Sequence, residues 1–278
     1  MFLKDEVEFR VVVEPQEFDA YAEIAGAERV LTLPKSNGGL VFARNWIRDH
    51  AVSEGHERHW QFDDDIRYMV KMHHGWRIAC DCRIALIAME DFVDRYENVG
   101  LSSFNSSFFL PGARGSSQQK HPPFYLNHRC YTCFLMKNDL PYRWRYRYNE
   151  DTDMTLQVLM GGWCTILFNV FMIVTPTTMT RKGGQMDVYV NDGRLRMARE
   201  LERVWPGVVK TTRRFRRPQH AIFGNWQKFD NQLVRKADVE IPTEPNEYGL
   251  KLVTKAAIQN EQLQQMVEEH GISSDDTE

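Results

Sequence analysis

Apolar positions change their period several times along the first third of the chain. They alternate and then run together over 7–13, and recur at helical spacing through Phe18, Tyr21 and Ile24 over 15–26. They return as a short run over 29–33 that Pro34 stops. A period of two residues marks a strand and a period near 3.6 marks a helix. The loop Lys35-Ser36-Asn37-Gly38-Gly39 then opens a second helical pattern over 40–52, with Phe42, Ala43, Trp46 and Ile47 on one face. The aromatic run over 59–62 reads as a buried strand. Strand, helix, strand, helix, strand in that order predicts an α/β fold, a parallel sheet with helices on its faces.

The pattern continues with an amphipathic helix over 84–98 (Leu86, Ile87, Phe92, Val93, Tyr96) and strands over 101–110 and 124–136. An alternating aromatic and arginine stretch over 142–148 reads as a further strand. A helix over 154–160, a long apolar strand over 164–175, a helix from Asp192 as cap to Trp205, and a strand over 208–212 complete it. Glycine, serine and proline place loops at 111–123 and 181–185. The Pro/Glu-rich segment over 240–245 reads as a linker to a Gln-rich helix over 250–270 and an acidic tail. The chain thus divides into a main domain over 1–240 and an appendage over 241–278.

Composition changes this picture little. With 278 residues, 42% hydrophobic and 26% charged, the chain is an ordinary globular one, long enough for a sizeable core. No apolar run approaches the ~20 residues of a membrane span. The start, Met1-Phe2-Leu3-Lys4-Asp5-Glu6, is not a signal peptide. Five cysteines, an odd number, fit a reducing cytoplasm better than a disulfide framework. Cys80-Asp81-Cys82 and Cys130-Tyr131-Thr132-Cys133, with His73, His74 and His128 nearby, are donor types that zinc uses. The first gap is too tight and the second pair sits in an apolar run, so buried free thiols are expected.

Charge changes it more. A net charge of −3 excludes wholesale attraction to nucleic acid, so such contact needs a local patch. Nine Lys/Arg against two Glu fall in 194–217, ending in Arg213-Arg214-Phe215-Arg216-Arg217. A solvated helix face accounts for the earlier ones. The terminal cluster is the candidate polyanion contact, with Arg181 and Lys182 next.

Candidate chemistry begins with Asp63-Asp64-Asp65, directly after the aromatic strand. If strand alternation continues, Asp63 and Asp65 share a face and suit Mg²⁺ or Mn²⁺ beside a nucleotide's phosphates. Such triplets also serve as plain turns or caps. In Tyr148-Asn149-Glu150-Asp151-Thr152-Asp153 the acidic residues suit a helix's positive end, and one can act as a general base if it faces the same crevice. The loop over 35–39 offers amides to an anion but lacks a phosphate-loop or dinucleotide signature. Arg44, Asn45 and Arg48 beyond it read as a solvated helix face, and His220 alone as an ordinary polar histidine.

Taken as an ordered set, these stretches resemble glycosyltransferases of the GT-A fold. The set is Leu33-Pro34, Gly39-Leu40, Arg44-Asn45-Trp46-Ile47, the acidic triplet, Tyr148 to Asp153, Gly183-Gly184 and a late His220. More narrowly they resemble the TET-associated glycosyltransferases of tailed bacteriophages, which add sugars to hydroxymethylated pyrimidines in DNA. The resemblance spans roughly residues 7 to 235. It implies a GT-A-like, Rossmann-type central mixed sheet and a nucleotide-sugar donor, a UDP-sugar by expectation. Asp63 would meet the nucleotide's ribose, and Asp65 with Asp63 and His220 would hold Mn²⁺ or Mg²⁺. Asp151 would act as the base, supported by Glu150. Arg44 and Asn45 would hold the nucleotide, with Lys35, Arg48 and Asp64 on the same side. GT-A domains normally open with a strand, a nucleobase loop and a helix ahead of the strand that 7–13 resembles. That first unit is expected to be absent or to lie upstream, leaving 7–13 near a sheet edge. An accessory DNA-binding protein on the same scaffold, or transfer to a protein or glycan, are the alternative classes.

Overall fold

The computed structural model describes residues 1–73, 76–110, 121–176, 192–214, 216–240 and 244–245. It divides into two compact units, Met1–Val234 and Arg235–Glu278. Of the second, residues 235–240 and 244–245 are described, so the expected C-terminal helix and tail lie outside the described residues. The same holds for Arg181, Lys182 and Gly183-Gly184.

In the first unit, β1 (Val11–Val13) and β2 (Val30–Thr32) pair in parallel, with α1 (Phe18–Ala25) between them in the chain. Both strands are shorter than the apolar runs that announced them. They form a two-stranded sheet of their own, and β2 is the strand paired with β1 among the described residues. Helix α2 (Gly39–Ser53) follows, opened by Gly39 at a φ of +74° that favours glycine.

The aromatic run forms β3 (Arg58–Phe62), but it does not extend the β1–β2 pair into one parallel sheet. Its partners lie further along the chain. They are β4 (Tyr68–His73), β5 (Trp76–Cys80), β6 (Val99–Ser106), β7 (Phe124–Leu126), β8 (Cys133–Lys137) and β9 (Cys164–Val174). These seven strands make one sheet in the order β3-β8-β6-β9-β4-β5, with β7 also on β9. Only β6 and β9 pair in parallel; the other pairs are antiparallel. Since β8 runs against both neighbours, β3 and β6 point the same way. The carboxyl ends of β3 and β6 and the start of β8 therefore share one rim.

Helix α3 (Cys82–Val93) covers one face of the sheet. Trp60 of β3 donates its indole N–H to Glu90 at 2.5 Å, and Phe92 packs on Phe124 and Phe168. The other face meets α2 and α4 (Glu150–Met160), where Leu101, Phe134, Met136, Trp144, Met154 and Val158 form a core that Val41 joins. Beyond α4 lie α5 (Gly193–Val204) and an antiparallel ribbon of β10 (Val209–Arg214) and β11 (Arg217–Ile222). Leu156, Leu201, Val209 and Ile222 fasten these parts together. The architecture is a mixed α/β fold of GT-A-like kind, a central mixed sheet flanked by helices. No helix of the described residues is long and apolar enough to cross a membrane.

Several elements depart from the pattern reading. The run over 124–136 is two strands, because Asn127 and Thr132 take φ of +53° and +66° between them. The stretch over 142–148 is not a strand. Trp144 within it has both backbone groups bonded by Asn45: Nδ2 donates to the carbonyl at 2.8 Å and Oδ1 accepts the N–H at 3.1 Å. Helix α4 begins at Glu150, so the acidic residues form its first turn instead of preceding it. Asp192 occupies the N-cap of α5 but makes no side-chain cap bond. The β4–β5 hairpin escaped the pattern because most of β5 is exposed, leaving no buried face to set an alternation. The five cysteines are free thiols, four of them buried.

Candidate active site

Helix α2 packs against β3 and carries a buried cation into the rim. Arg44 is 4% exposed, with its guanidinium 4.8 Å from the centre of the Phe134 ring and 4.8 Å from that of Trp144. A charge so placed requires partners. Its Nη2 donates to Asp63 Oδ1 at 2.8 Å and lies 3.9 Å from Glu150 Oε1. Gln61 of β3 donates its amide to the Arg44 carbonyl at 3.1 Å, which fixes the helix turn. The solvated face expected for this stretch is therefore interior. Arg48 is buried as well and donates to the carbonyls of Asn138 and Leu140. Together with the Asn45–Trp144 clamp, this engages two of the expected nucleotide contacts in holding neighbouring chain.

The acidic triplet does not continue the strand. β3 ends at Phe62, the Asp63 N–H donates to the Thr132 carbonyl at 2.9 Å, and Asp64 and Asp65 form an exposed turn. Strand alternation therefore does not place Asp65. Burial, opposed by Arg44 and reinforced by the charges of Asp65 and Asp151, pushes the Asp63 carboxyl up to about 6. Asp64 is within electrostatic reach of Tyr21 in α1, whose phenol is pushed up by burial and then by that charge.

Across the crevice, α4 presents Glu150 and Asp151. Thr155 Oγ1 donates to the Asp151 carbonyl at 2.8 Å and accepts the Cys130 N–H at 3.2 Å, tying this turn to the chain entering β8. Asp151 Oδ1 accepts the Thr152 N–H at 2.6 Å. Asp151 Oδ2 lies 3.5 Å from Arg129 Nε, and the Arg129 guanidinium lies over the Tyr131 ring. Arg129 was not singled out in the sequence; the flanking His128-Arg129-Cys130 has no local signature that would have found it. His220 of β11 reaches this same group, its Nε2 being 3.3 Å from Thr152 Oγ1. Burial and then Arg129, opposed by Asp151, push its imidazole down to about 4, so it is neutral at pH 7.

Two expected contacts are arranged differently. The loop opening α2 offers its amides inward: Asn37 N–H donates to Glu14 Oε2 at 2.8 Å and Gly38 N–H to Oε1 at 2.9 Å. Lys35 is exposed, with its ammonium 4.1 Å over the Phe42 ring. The basic cluster is the tip of the β10–β11 ribbon, where Arg214 pairs with Arg217 in register and Arg213, Arg214, Arg216 and Arg217 are all exposed.

A family model described as TET-Associated Glycosyltransferase matches residues 3–184. The chain belongs to this family. No curated protein and no solved structure matches it. The matched span holds the triplet, Arg44, Arg129 and the start of α4, while His220 and the ribbon follow it. As a TET-associated glycosyltransferase the protein has a sugar donor and an acceptor to accommodate.

The donor set of this glycosyltransferase suits a hard cation in its chemistry. The carboxylates of Asp65 and Asp151 both act on Asp63, and that mutual repulsion is what a divalent ion relieves. Among the described residues, one cluster has three donor atoms all within 4.8 Å of one another, Asp5, Asp81 and Cys82, and it lies elsewhere. Its groups are committed to the start of α3: Asp5 accepts the Cys82 N–H at 2.9 Å and Asp81 that of Arg83 at 2.7 Å. Burial and then Asp5 push the Cys82 thiol up to about 12. Asp63, Asp65 and His220 thus do not bring three donor atoms within 4.8 Å of one another.

Glu150 yields a prediction in the same glycosyltransferase. Burial and then Asp151, opposed by Arg44, push its carboxyl up to about 7 from the ordinary 4.5. A raised acid binds its proton more tightly folded than unfolded. The native state is therefore favoured at low pH and loses that advantage as pH rises from 4.5 through 7. Glu150→Gln should raise Tm at pH 8 by roughly 4–8 °C, on the order of 2 kcal/mol, with the gain fading toward pH 5. Thermal denaturation of both proteins across that range checks it; a pH-independent difference would refute it.

Proposed function

We propose that the protein is a metal-dependent, inverting glycosyltransferase that moves a sugar from a nucleotide-sugar, a UDP-sugar by expectation, to the hydroxyl of a hydroxymethylated pyrimidine in DNA. The observation that carries the reading is that Asp63 and Glu150, distant in sequence, meet around Arg44 at the rim where β3 and β6 end, with Asp151 beside Glu150 on α4 and paired with Arg129. Ligands of open α/β sheets bind outside the carboxyl ends of strands, and the family match adds sugar transfer.

In this reading Asp63 and Asp65 would hold Mg²⁺ or Mn²⁺, with neutral His220 as the further ligand. When bound, such an ion would neutralise negative charge on the diphosphate. Asp151 takes the acceptor hydroxyl's proton as that oxygen bonds to the anomeric carbon. The bond from that carbon to the diphosphate breaks in line, its electron pair leaves with the nucleoside diphosphate, and the centre inverts. Arg129 holds the Asp151 carboxylate in place, and Arg44 fixes Asp63 and Glu150. Mass spectrometry of hydroxymethylcytosine DNA incubated with the protein, Mn²⁺ and a panel of nucleotide sugars tests the reading. A hexose-sized mass gain supports it; modification of a protein or glycan acceptor alone would overturn it.

The ribbon is the DNA contact in this reading. A two-stranded ribbon fits the major groove, and four arginines at its tip supply the local positive field that a chain of net charge −3 otherwise lacks. Binding should weaken with salt with a log–log slope of about −0.9 per phosphate neutralised. Replacing Arg213, Arg214, Arg216 and Arg217 by Gln should flatten that slope and lower DNA affinity while nucleotide-sugar binding persists. An unchanged slope would move the contact elsewhere, with Arg181 and Lys182 next to be replaced.

A further inference from the structure

Strand β6 ends on the shared rim, and the turn after it exposes two adjacent aromatic rings. Phe108 is 80% exposed and Phe109 58%. Removing a phenylalanine side chain from water is worth about 1.5–3 kcal/mol, so nothing in folding favours leaving a neighbouring pair outside. The turn that presents them is well tied. Ser107 N–H donates to the Ile173 carbonyl at 3.0 Å, Phe109 N–H to the Ser106 carbonyl at 3.0 Å, and Phe108 N–H to Ser106 Oγ at 3.3 Å. The two rings meet edge to face at 5.4 Å.

These rings connect directly to the proposed base. Phe109 packs edge to face on Tyr131, with centroids 5.9 Å apart. Tyr131 is pinned in turn: its hydroxyl donates to Asn105 Oδ1 and accepts the Ser106 N–H at 2.9 Å. The Arg129 guanidinium lies 5.1 Å from the centre of the Tyr131 ring, and its Nε is 3.5 Å from Asp151. One continuous series of contacts thus runs from two water-exposed rings, through the buried Tyr131 ring and a partly exposed guanidinium, to a carboxylate.

We propose that Phe108, Phe109 and Arg129 form the acceptor wall of the site, a stacking shelf that takes a planar base of a nucleic-acid strand and brings its hydroxyl beside Asp151. The inference rests on the reading of the acceptor as DNA and deepens it. A heteroaromatic base is the occupant that matches this surface. Phenylalanine faces hold a flat ring by stacking without regard to sequence, and Arg129 adds a cation that can stack on the ring or meet the neighbouring phosphate. A base reaching the shelf leaves its own stack, so the rings also replace the stacking it loses.

The test separates this shelf from the transfer reaction. An oligonucleotide carrying a fluorescent 2-aminopurine at the acceptor position reports stacking by quenching, whether or not transfer occurs. The wild type should quench it. Phe108→Leu/Phe109→Leu, apolar but not planar, should abolish the quenching and raise the KM for hydroxymethylcytosine DNA roughly 10- to 100-fold, with the Kd for the nucleotide-sugar unmoved. Phe108→Trp should restore both in the Phe109→Leu background. Wild-type quenching and KM in the leucine variant would overturn the shelf. An equal loss of nucleotide-sugar binding would also overturn it, by showing that the rings only support the fold. Quenching without any transfer by the wild type would leave the shelf standing and refute the reaction instead.

Discussion

Asp151→Asn is expected to lower turnover by roughly two to four orders of magnitude while the nucleotide-sugar still binds. The substitution keeps the side chain's shape and its acceptance of the Thr152 N–H, and it removes the capacity to take a proton. It also removes the counter-charge of Arg129, so the comparison needs Arg129→Gln beside it. If Arg129 only positions the base, Arg129→Gln should cost less than Asp151→Asn and should shift the pH–rate profile. The Asn variant should show no such profile. Single-turnover transfer with saturating donor reads the chemical step directly. Near-normal turnover in Asp151→Asn would take the role of base away from this residue.

Arg44→Met is expected to be the most destabilising single change in the site. The substitution fills much of the space between Phe134 and Trp144, so the loss reports charge more than volume. Two carboxyls, Asp63 and Glu150, then face the crevice without their cation. Removing one member of a buried ionic group costs about 3–5 kcal/mol, because the remaining charge stays desolvated. Urea denaturation at pH 7.5 measures it. The cost should shrink when Glu150→Gln is made in the same chain, with a coupling of roughly 0.5–3 kcal/mol. Additive effects would mean that Arg44 and Glu150 do not share an electrostatic environment.

How much of this site could be read from the chain depends on where each residue's partners lie. Asp63 announced itself because an aromatic strand and a carboxylate are adjacent in sequence. Glu150 and Asp151 were marked by the same kind of local signal, a helix start, even though α4 begins earlier than its apolar spacing suggests. Arg44 is different. The polar stripe of a helix reads as solvated unless its cover is known, and the cover is supplied by Phe134 and Trp144, distant in the chain. Arg129 is meaningful only once β8 has been placed between β3 and β6, an antiparallel arrangement that the early β-α-β-α-β pattern did not foretell. The strand β11, which carries His220, opens with Arg217 and Pro218 and buries little until Ile222, so it left no alternation to follow.

Glu14 gives the start of α2 a tenant of its own. Its two oxygens already receive the amides of Asn37 and Gly38, and its carboxyl is held below the ordinary range first by the bond from Asn37. A tethered group of this sort acts at an effective concentration of the order of millimolar or above. A free phosphate must outcompete it there, so any affinity of those amides for a ligand is discounted by a rival that never diffuses away. In the proposed reaction the donor's phosphates would therefore be met at the acidic rim and not by the amides of the glycine-bearing loop.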